Sequence, residues 1–354
     1  MISVMKPASW TRENIMEEAV SFDDVLLVPQ YSDIESRSQT DIRSELGDKI
    51  CLDLPIISSP MDTVTEDNMA IAMHRAGGMG IIHRYNDMEL QARMVYEAYQ
   101  TGTANLGAAV GMTGDFLKRS MAVVDLGANL LCVDVAHGHH SMMETCLKTL
   151  KDKFGEVVHI MAGNVATLEG FNALAEWGAD SIRVGIGGGS ICSTRLVSGH
   201  GVPTFQSVLE CAKTEYDTKI IADGGIKTSG DIVKALAAGA DSVLVGSMLA
   251  GTDETPGEVL TSSRGKKYKV YRGMASRAAQ ETWRGKSSTP EGVSTTIAYK
   301  GPVEDILHDL AGGIKSGFSY SGAKHLSELQ RKARFIRQTS AGQLESSTHI
   351  MRRR

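Results

Sequence analysis

Short, continuous runs of apolar residues recur along the chain, and most are followed by Gly, Ser or Asp and then by a stretch with helical periodicity. Because the runs do not alternate with polar residues, they predict strands buried on both faces, as in a parallel sheet. The periodic segments between them, such as 142–154, 168–177 and 232–238, predict helices. The eight runs are 55–59, 80–83, 105–110, 130–135, 157–162, 181–184, 219–222 and 242–245.

Eight strand–helix units predict a closed (β/α)8 TIM barrel, with the chemistry on the loops that follow the strands. An open, doubly wound sheet is the structural alternative. Polar residues just after the strand ends favour the barrel, and they are Ser59, Asp134, Asn164, Cys192, Asp223 and Ser247. We therefore expect residues 1–354 to form a single catalytic domain.

Residues from about 252 to 300 do not follow this alternation of strand-like and helix-like segments. The segment is polar, contains Gly, Ser and Pro clusters, and is long for a connection after the eighth strand. It predicts a mobile flap over the barrel opening rather than a plain surface loop. Helical periodicity returns over 303–310 and 325–335, and a polar tail runs from about 338 to 354.

Composition excludes several classes of protein. Hydrophobic residues make up 42% of the chain and charged residues 22%, which is enough apolar content for a core. A net charge of −5 without a basic stripe argues against a nucleic-acid partner, and no apolar run reaches the roughly 20 residues of a membrane span. Five widely spaced cysteines without a Cys-x-x-Cys pair, and no visible signal peptide, favour reduced thiols in a cytoplasmic protein.

The strongest chemical signal is the glycine-rich segment 185–195, which contains Cys192. Its glycines allow the backbone to approach a ligand, so that N–H groups can converge on a phosphate while carbonyls on the other side hold a cation. Cys192, close to hydroxyl residues and to Arg195, is a candidate nucleophile. Taken alone, the segment also fits a plain turn with a small buried cysteine.

With these motifs in this order, the chain resembles the IMP dehydrogenase/GMP reductase family over nearly its whole length. The matching segments are 21–29, 58–62, 77–83, 162–165, the Cys192 loop, 223–225, 245–251, 271–274 and 320–323. The resemblance implies an oxidoreductase of purine metabolism, which binds a purine ribonucleotide at the barrel opening and a nicotinamide cofactor beside it. It also implies a homotetramer.

The resemblance further implies a role for each matching residue. Cys192, Thr194 and Glu291 would be catalytic, and Asp134, Asn164 and Arg183 would lie where the cofactor meets the purine. Ser190, Gly225, Gly246 and Ser247 would hold the phosphate, and Asp223 would bind the ribose hydroxyls. The other substrate contacts would be Ser59, Met61, Tyr271, Gly273 and Met274. The carbonyls of Gly187, Gly189 and Cys192 match a monovalent-cation site of many dehydrogenases in the family, so K⁺ is a candidate ligand.

The two branches of the family differ in the chemistry after the cysteine has attacked purine C2. A dehydrogenase hydrolyses the thioimidate with water activated by an Arg-Tyr pair on the flap. No such pair occurs within 273–292, where Arg284 is the nearest substitute. A reductase needs a proton for the departing ammonia, which family reductases take from a Thr-Glu pair that Thr194 and Glu291 match. Because many dehydrogenases also have this Thr and Glu, the missing Arg-Tyr pair is the discriminating feature.

Two further features point in opposite directions. Only about twenty residues separate Ile82 from Asn105, too few for the CBS modules that most dehydrogenases carry there. In contrast, the segments 136–139 and 333–342 look closer to dehydrogenase sequences. The His-rich segment 136–140 itself predicts no metal site, because consecutive residues seldom point at one centre.

The sequence thus predicts a GMP reductase, which uses NADPH to convert GMP to IMP and ammonia. An IMP dehydrogenase without CBS domains, which oxidises IMP to XMP with NAD, is the alternative within the family. A barrel that binds nucleotides without catalysis is the alternative from another class, although such a module would not need the thiol. The sequence does not decide between NADPH and NADH.

Overall fold

Eight parallel strands close into a barrel at the centre of the structure, a computed structural model that describes residues 18–346. Residues 1–17, on which the expectation about a signal peptide rests, and residues 347–354 at the end of the polar tail lie outside the described part. The strands are β1 (Val25–Leu27), β2 (Ser44–Glu45), β3 (Cys51–Leu52), β4 (Ile56–Ser58), β5 (Met79–Ile82), β6 (Leu106–Val110), β7 (Leu130–Asp134), β8 (His159–Val165), β9 (Ser181–Val184), β10 (Lys219–Asp223), β11 (Ser242–Val245), β12 (Leu260–Thr261), β13 (Lys267–Arg272), β14 (Ser294–Ala298) and β15 (Phe335–Arg337).

Helices follow most of the barrel strands. They are α1 (Asp67–Arg75), α2 (Met88–Gln100), α3 (Phe116–Asp125), α4 (Ser141–Phe154), α5 (Leu168–Glu176), α6 (Thr194–Ser198), α7 (Thr204–Cys211), α8 (Ser229–Ala237), α9 (Arg277–Arg284), α10 (Val303–Tyr320), α11 (Leu326–Lys332) and α12 (Ser340–Glu345). Within residues 18–346, no helix is both long enough and apolar enough to cross a lipid bilayer.

The barrel consists of β4 to β11, and each strand pairs in parallel with its neighbour in sequence. The last strand returns to the first, with Val243 of β11 opposite Ile56 of β4. This pairing confirms the predicted (β/α)8 TIM barrel, because the end strands of an open sheet would have no such partner. Each predicted run coincides with one of these strands, although β8 begins and ends later than its run.

The predicted helix over 325–335 was wrong at its end. Helix α11 stops at Lys332, and Phe335 begins β15, which pairs antiparallel with β1 through Leu27 opposite Phe335. The pairing joins the two ends of the described chain, and local periodicity carries no information about such a distant partner. Part of the polar tail, Ser340–Glu345, is helical.

The lower end of the barrel is filled. Its interior packs side chains such as Ile57, Met79 and Leu244 against Leu46 and Leu52 from the β2–β3 hairpin, and both leucines are fully buried. Layers of branched side chains fill the interior of such barrels, so the centre is a core rather than a channel. A ligand that reaches the centre of the barrel must therefore enter from the opposite end, where the strands have their carboxyl ends.

The flap (residues 252–300) is folded rather than loop-like. Strands β12, β13 and β14 form a small antiparallel sheet, and α9 lies between β13 and β14 in sequence. Its base is tied together by backbone hydrogen bonds from Asp253 N to Gly301 O and from Lys300 N to Gly251 O. The buried Lys269 donates to the carbonyls of Thr252 and Thr255. That the flap is mobile stays a prediction.

One buried histidine predicts how the fold responds to acid. Burial lowers the pKa of His159 to about 4, and its Nε2 lies 2.8 Å from Ser181 Oγ. Because the unfolded chain binds a proton near the ordinary value of 6.5, the stability that neutral His159 provides is present above pH 6.5 and is lost as the pH falls towards 4. We expect about 2 kcal/mol of this loss between pH 6.5 and pH 5. Urea unfolding of the wild type and of His159→Gln at both pH values tests this. The free energy of unfolding should fall more in the wild type than in the variant, and an equal fall in both proteins would contradict the prediction.

Candidate functional site

A cavity of about 560 Å³ lies at the carboxyl ends of the barrel strands, beneath the flap. Every residue that the sequence analysis assigned to the site lines this cavity. The catalytic candidates there are Cys192, Thr194 and Glu291; the substrate candidates are Ser59, Met61, Ser190, Asp223, Gly225, Gly246, Ser247, Tyr271, Gly273 and Met274; the cofactor candidates are Asp134, Asn164 and Arg183; and Gly187 and Gly189 belong to the Cys192 loop.

A buried guanidinium links the strand ends at the floor of the cavity. Arg183 on β9 donates to Asp134 Oδ1 at 2.6 Å, and its Nε and Nη2 donate to Asp223 Oδ2 at 3.1 and 2.8 Å. Burial alone would lower the pKa of Arg183, but the two carboxylates raise it well above its ordinary value, so the side chain stays charged. The sequence analysis assigned Asp223 to the ribose of the nucleotide and Arg183 to the place where the cofactor meets the purine, whereas the structure joins both residues in one network.

Two polar atoms in this network remain available for a ligand. Asn164 Nδ2 donates to Asp223 Oδ2 at 2.7 Å, so all donors to this carboxylate converge on Oδ2 and leave Oδ1 without a recorded partner within residues 18–346. The Oδ1 atom of Asn164 is buried and has no hydrogen-bond partner in the same part of the chain. Since buried polar atoms are normally paired, both oxygens suit a ligand that brings hydroxyl or amide donors.

The other side of the cavity has the character of an anion site. The backbone N–H groups of Gly225, Gly246 and Ser247 donate to no acceptor within the described chain. The buried Tyr271 has its hydroxyl within reach of Ser190 and Ser247; burial raises its pKa, so it stays a neutral donor. Together these groups offer N–H and O–H donors, which suits a phosphate, and the Asp223 carboxylate lies close enough to contribute to the raised pKa of Tyr271.

Glycine is required where the loops of this site approach one another. A Cβ added at Gly185 would overlap the carbonyl oxygen of Asp223. Gly225 has φ of +79°, in the left-handed region that other residues rarely adopt. The two loops can therefore lie side by side only with glycine at these positions.

Backbone pairing brings the cysteine loop and the flap together. Cys192 is opposite Gly292 in an antiparallel bridge, and Ser193 N donates to Glu291 O at 2.9 Å. The exposed thiol of Cys192 lies 3.1 Å from Thr194 Oγ1. Because the peptide of Glu291 is held beside this loop, Glu291 lines the same cavity as Cys192 and Thr194.

The carbonyls proposed for a monovalent cation have the right chemistry, since hard cations prefer oxygen ligands. The Gly189 carbonyl accepts the Cys192 N–H at 3.1 Å and retains a second lone pair. A Cβ added at Gly187 would come within 3.0 Å of Arg195 Nε, so a guanidinium already lies on this side of the loop. K⁺ binding stays a prediction.

One end of the cavity, which we call the outer end, is formed by Arg84, Tyr85, Trp283 and Arg284. The sequence analysis named only Arg284 of these, as a substitute for the Arg-Tyr pair, and missed the other three. Arg84 lies over the ring of Tyr85, 5.0 Å from its centroid, and donates to the carbonyl of Asp134 at 3.0 Å. Burial raises the pKa of Tyr85 to about 12, so the phenol is neutral. Only the position of Arg84 and Tyr85 just after the β5 run could have indicated them.

Three comparisons identify similar proteins. Residues 19–349 match the family model described as the IMP dehydrogenase / GMP reductase domain. The chain is 36% identical to the inosine-5′-monophosphate dehydrogenase of Nitrosopumilus maritimus, across 94% of this chain and 98% of that enzyme. It is 33% identical to the GMP reductase of Leishmania major, across 94% of this chain and 97% of that enzyme.

A solved structure is similar over almost the whole chain. It is a Cys-to-Ala variant of GMP reductase from Trypanosoma brucei in complex with guanosine 5′-monophosphate, with a TM-score of 0.90 and 33% identity. The match covers 96% of this chain and 99% of that one.

Alignment length bears on the expectation that this chain has no CBS modules. The alignments with the archaeal dehydrogenase and the Leishmania reductase run over 470 and 479 residues, longer than this chain of 354. Both relatives therefore have residues that this chain lacks. Since one is a reductase, a shorter chain does not separate the two activities.

Thiol reactivity should distinguish the cysteines. Burial raises the pKa of Cys132 to about 11 and those of Cys146 and Cys211 to about 12, so at pH 8 about one in 1,000 or fewer is a thiolate. We expect iodoacetamide to modify the exposed Cys192 and Cys51 first, and GMP to protect Cys192 alone. Peptide mass spectrometry checks this, with Cys51 as internal control. Equal labelling of Cys192 with and without nucleotide would count against its place in the site.

Proposed function

The chain belongs to the IMP dehydrogenase/GMP reductase family, and we propose that within this family it is a GMP reductase that uses NADPH. The observation that carries the choice of a reductase is that residues 273–292 of the flap contain no Arg-Tyr pair to activate water. The approach of the flap to the cysteine loop brings Glu291 to the same cavity as Cys192 and Thr194, and it suits either reaction. A carboxyl group, a hydroxyl and a thiol around one cavity suit the expulsion of an amine, which needs both a nucleophile and a proton donor.

The substrate is oriented by groups at two sides of the cavity. Free N–H groups of Gly225, Gly246 and Ser247 suit its phosphate, and the uncommitted Oδ1 of Asp223 suits the ribose hydroxyls. A carboxylate beside the phosphate would repel it, which supports this orientation over the reverse. The purine then extends towards Cys192.

The chemistry at purine C2 requires one covalent intermediate. The Cys192 thiolate forms a bond to C2, and the exocyclic amine leaves as ammonia once it has gained a proton, which gives a thioimidate. We assign that proton to Glu291, relayed by Thr194. The nicotinamide cofactor, when bound, supplies a hydride to C2. Breaking the C2–S bond then returns the thiolate and releases IMP, so the electron pair added by the hydride replaces the C–N bond of GMP with a C–H bond.

The residues next to Asp134 and Asn164 suit the nicotinamide cofactor. The family uses nicotinamide cofactors, and Asp134 of the Arg183 network accepts from Arg84 of the outer end through its backbone carbonyl. The unpartnered Asn164 Oδ1 fits an amide or hydroxyl donor there. We propose NADPH as the cofactor, with NAD as the partner of the alternative reaction.

We also propose a homotetramer. Leu196 on α6 is 89% exposed although it follows Cys192 closely in sequence. The adjacent Val197 is 45% exposed, and burial of both apolar side chains by a neighbouring subunit would be favourable. The number of four subunits rests on the resemblance to the family.

A paired assay of purified protein tests the reaction. We expect oxidation of NADPH that depends on GMP and releases ammonia, and no reduction of NAD with IMP. Cys192→Ala should abolish turnover, because no other group lining the cavity can form the thioimidate, while Cys51→Ala at the filled end of the barrel should keep it. Near-normal turnover in Cys192→Ala would rule out the mechanism.

The proton donor is tested separately. Glu291→Gln keeps the size of the side chain but cannot release a proton, so ammonia release should slow by about 10²-fold or more while the Kd for GMP changes little. Glu281→Gln, an exposed position on α9, is the matched control in the same flap. Single-turnover ammonia measurement and nucleotide titration separate the two effects. An unchanged deamination rate would exclude Glu291 from this role.

IMP dehydrogenase is the second candidate, and one observation favours it. Tyr85 and Arg284 both line the cavity, so a tyrosine and an arginine are present in space although no Arg-Tyr pair exists in the sequence of the flap. Reduction of NAD with IMP in the paired assay would support this candidate over the reductase.

A further inference from the structure

Asp62 is a buried carboxylate that connects the barrel to the flap. Its side chain is only 4% exposed, and it follows β4, at the opening of the barrel. Arg272 at the end of β13 donates to it through Nε at 3.0 Å and Nη2 at 2.5 Å. The charge of Asp62 is thus balanced by an arginine of the flap.

The same carboxylate also accepts from the flap helix. The indole Nε1 of Trp283, near the end of α9, donates to Asp62 Oδ2 at 3.1 Å. The barrel residue Asp62 and the tip of α9 are 221 residues apart in sequence, so this contact fixes the distant helix against the barrel opening. Hydrogen bonds to a charged partner are stronger than those between neutral groups.

The ring of Trp283 also packs on aromatic side chains from the loop after β5. Its centroid lies 6.4 Å from that of Tyr85 and 6.2 Å from that of His83, both in tilted arrangements. The buried His83 ring is itself held in place, because it lies 3.2 Å from Glu66 Oε1 and its Nδ1 accepts the Tyr85 N–H. Trp283 therefore joins the flap to the residues that form the outer end of the cavity.

The outer end lies next to the cofactor side of the site. Arg84 precedes Tyr85 and donates to the carbonyl of Asp134, which in turn binds Arg183. Displacing Trp283 would release Tyr85 and Arg284 from the cavity wall, while the donors on the phosphate side, from Gly225, Gly246 and Ser247, would keep their positions.

We propose that Trp283, anchored by Asp62, is a positioning residue that holds helix α9 against Tyr85 and so builds the cavity wall on which the nicotinamide cofactor rests. The proposal rests on the use of such a cofactor by the family and holds for either direction of the reaction. It assigns to Trp283 an effect on cofactor binding and none on nucleotide binding.

Trp283→Phe is the principal test, because it keeps an aromatic ring against Tyr85 and removes only the N–H donor. We expect the KM for the cofactor to rise about tenfold in Trp283→Phe and further in Trp283→Ala, since loss of a hydrogen bond to a carboxylate is of this order. The KM for the purine nucleotide and the melting temperature should stay close to the wild-type values. Glu281→Gln on the same helix is the control and should leave both KM values unchanged.

Tryptophan fluorescence provides a readout that is independent of turnover. Reduced nicotinamide absorbs where tryptophan emits, so binding of the reduced cofactor should quench Trp283 strongly, and the quench should largely vanish in Trp283→Phe but persist in Trp177→Phe. An unchanged cofactor KM in both Trp283 variants, or a rise in both KM values together with a lower melting temperature, would overturn the proposal. A wild-type enzyme silent with both substrate pairs would instead refute the proposed function, while the quench would still test Trp283.

Discussion

A single buried positive charge organises the floor of the site. Arg183 lies between Asp134 and Asp223, so one guanidinium joins the carboxyl ends of β7, β9 and β10, and Asn164 adds β8 to the same network. Loss of one partner of such a pair leaves an uncompensated charge in a buried place, which is far more costly than loss of a surface ion pair. The orientation of Asp223, and with it the oxygen free for a ligand, therefore depends on Arg183.

The barrel could be predicted from the sequence because its signals are local. Each strand is a continuous apolar run, and several runs contain or precede a polar residue that lines the cavity, as with Asp134 and Asp223. The carboxyl ends of parallel strands lie at the same end of a barrel, so the local pattern was enough to indicate which residues come together.

The outer end of the cavity could not be predicted in the same way. Trp283 lies in a polar, helical stretch whose sequence does not indicate a contact with Asp62. Asp62 itself looks like any polar residue that follows a strand. Their contact depends on how the flap folds back across the barrel, and neither periodicity nor composition encodes such a path. The fold of the flap itself was missed for the same reason, since β12 and β14 are short and largely exposed.

The filled lower end of the barrel constrains the order of events at the site. With Leu46 and Leu52 closing that end, the cavity has a floor, and everything that reacts must arrive and depart through the same opening. With the nucleotide at Asp223 and the cofactor against Trp283, as proposed, both ligands exchange through this one opening. The release of one product then depends on whether the other still occupies the opening, so a shared exit couples the two departures.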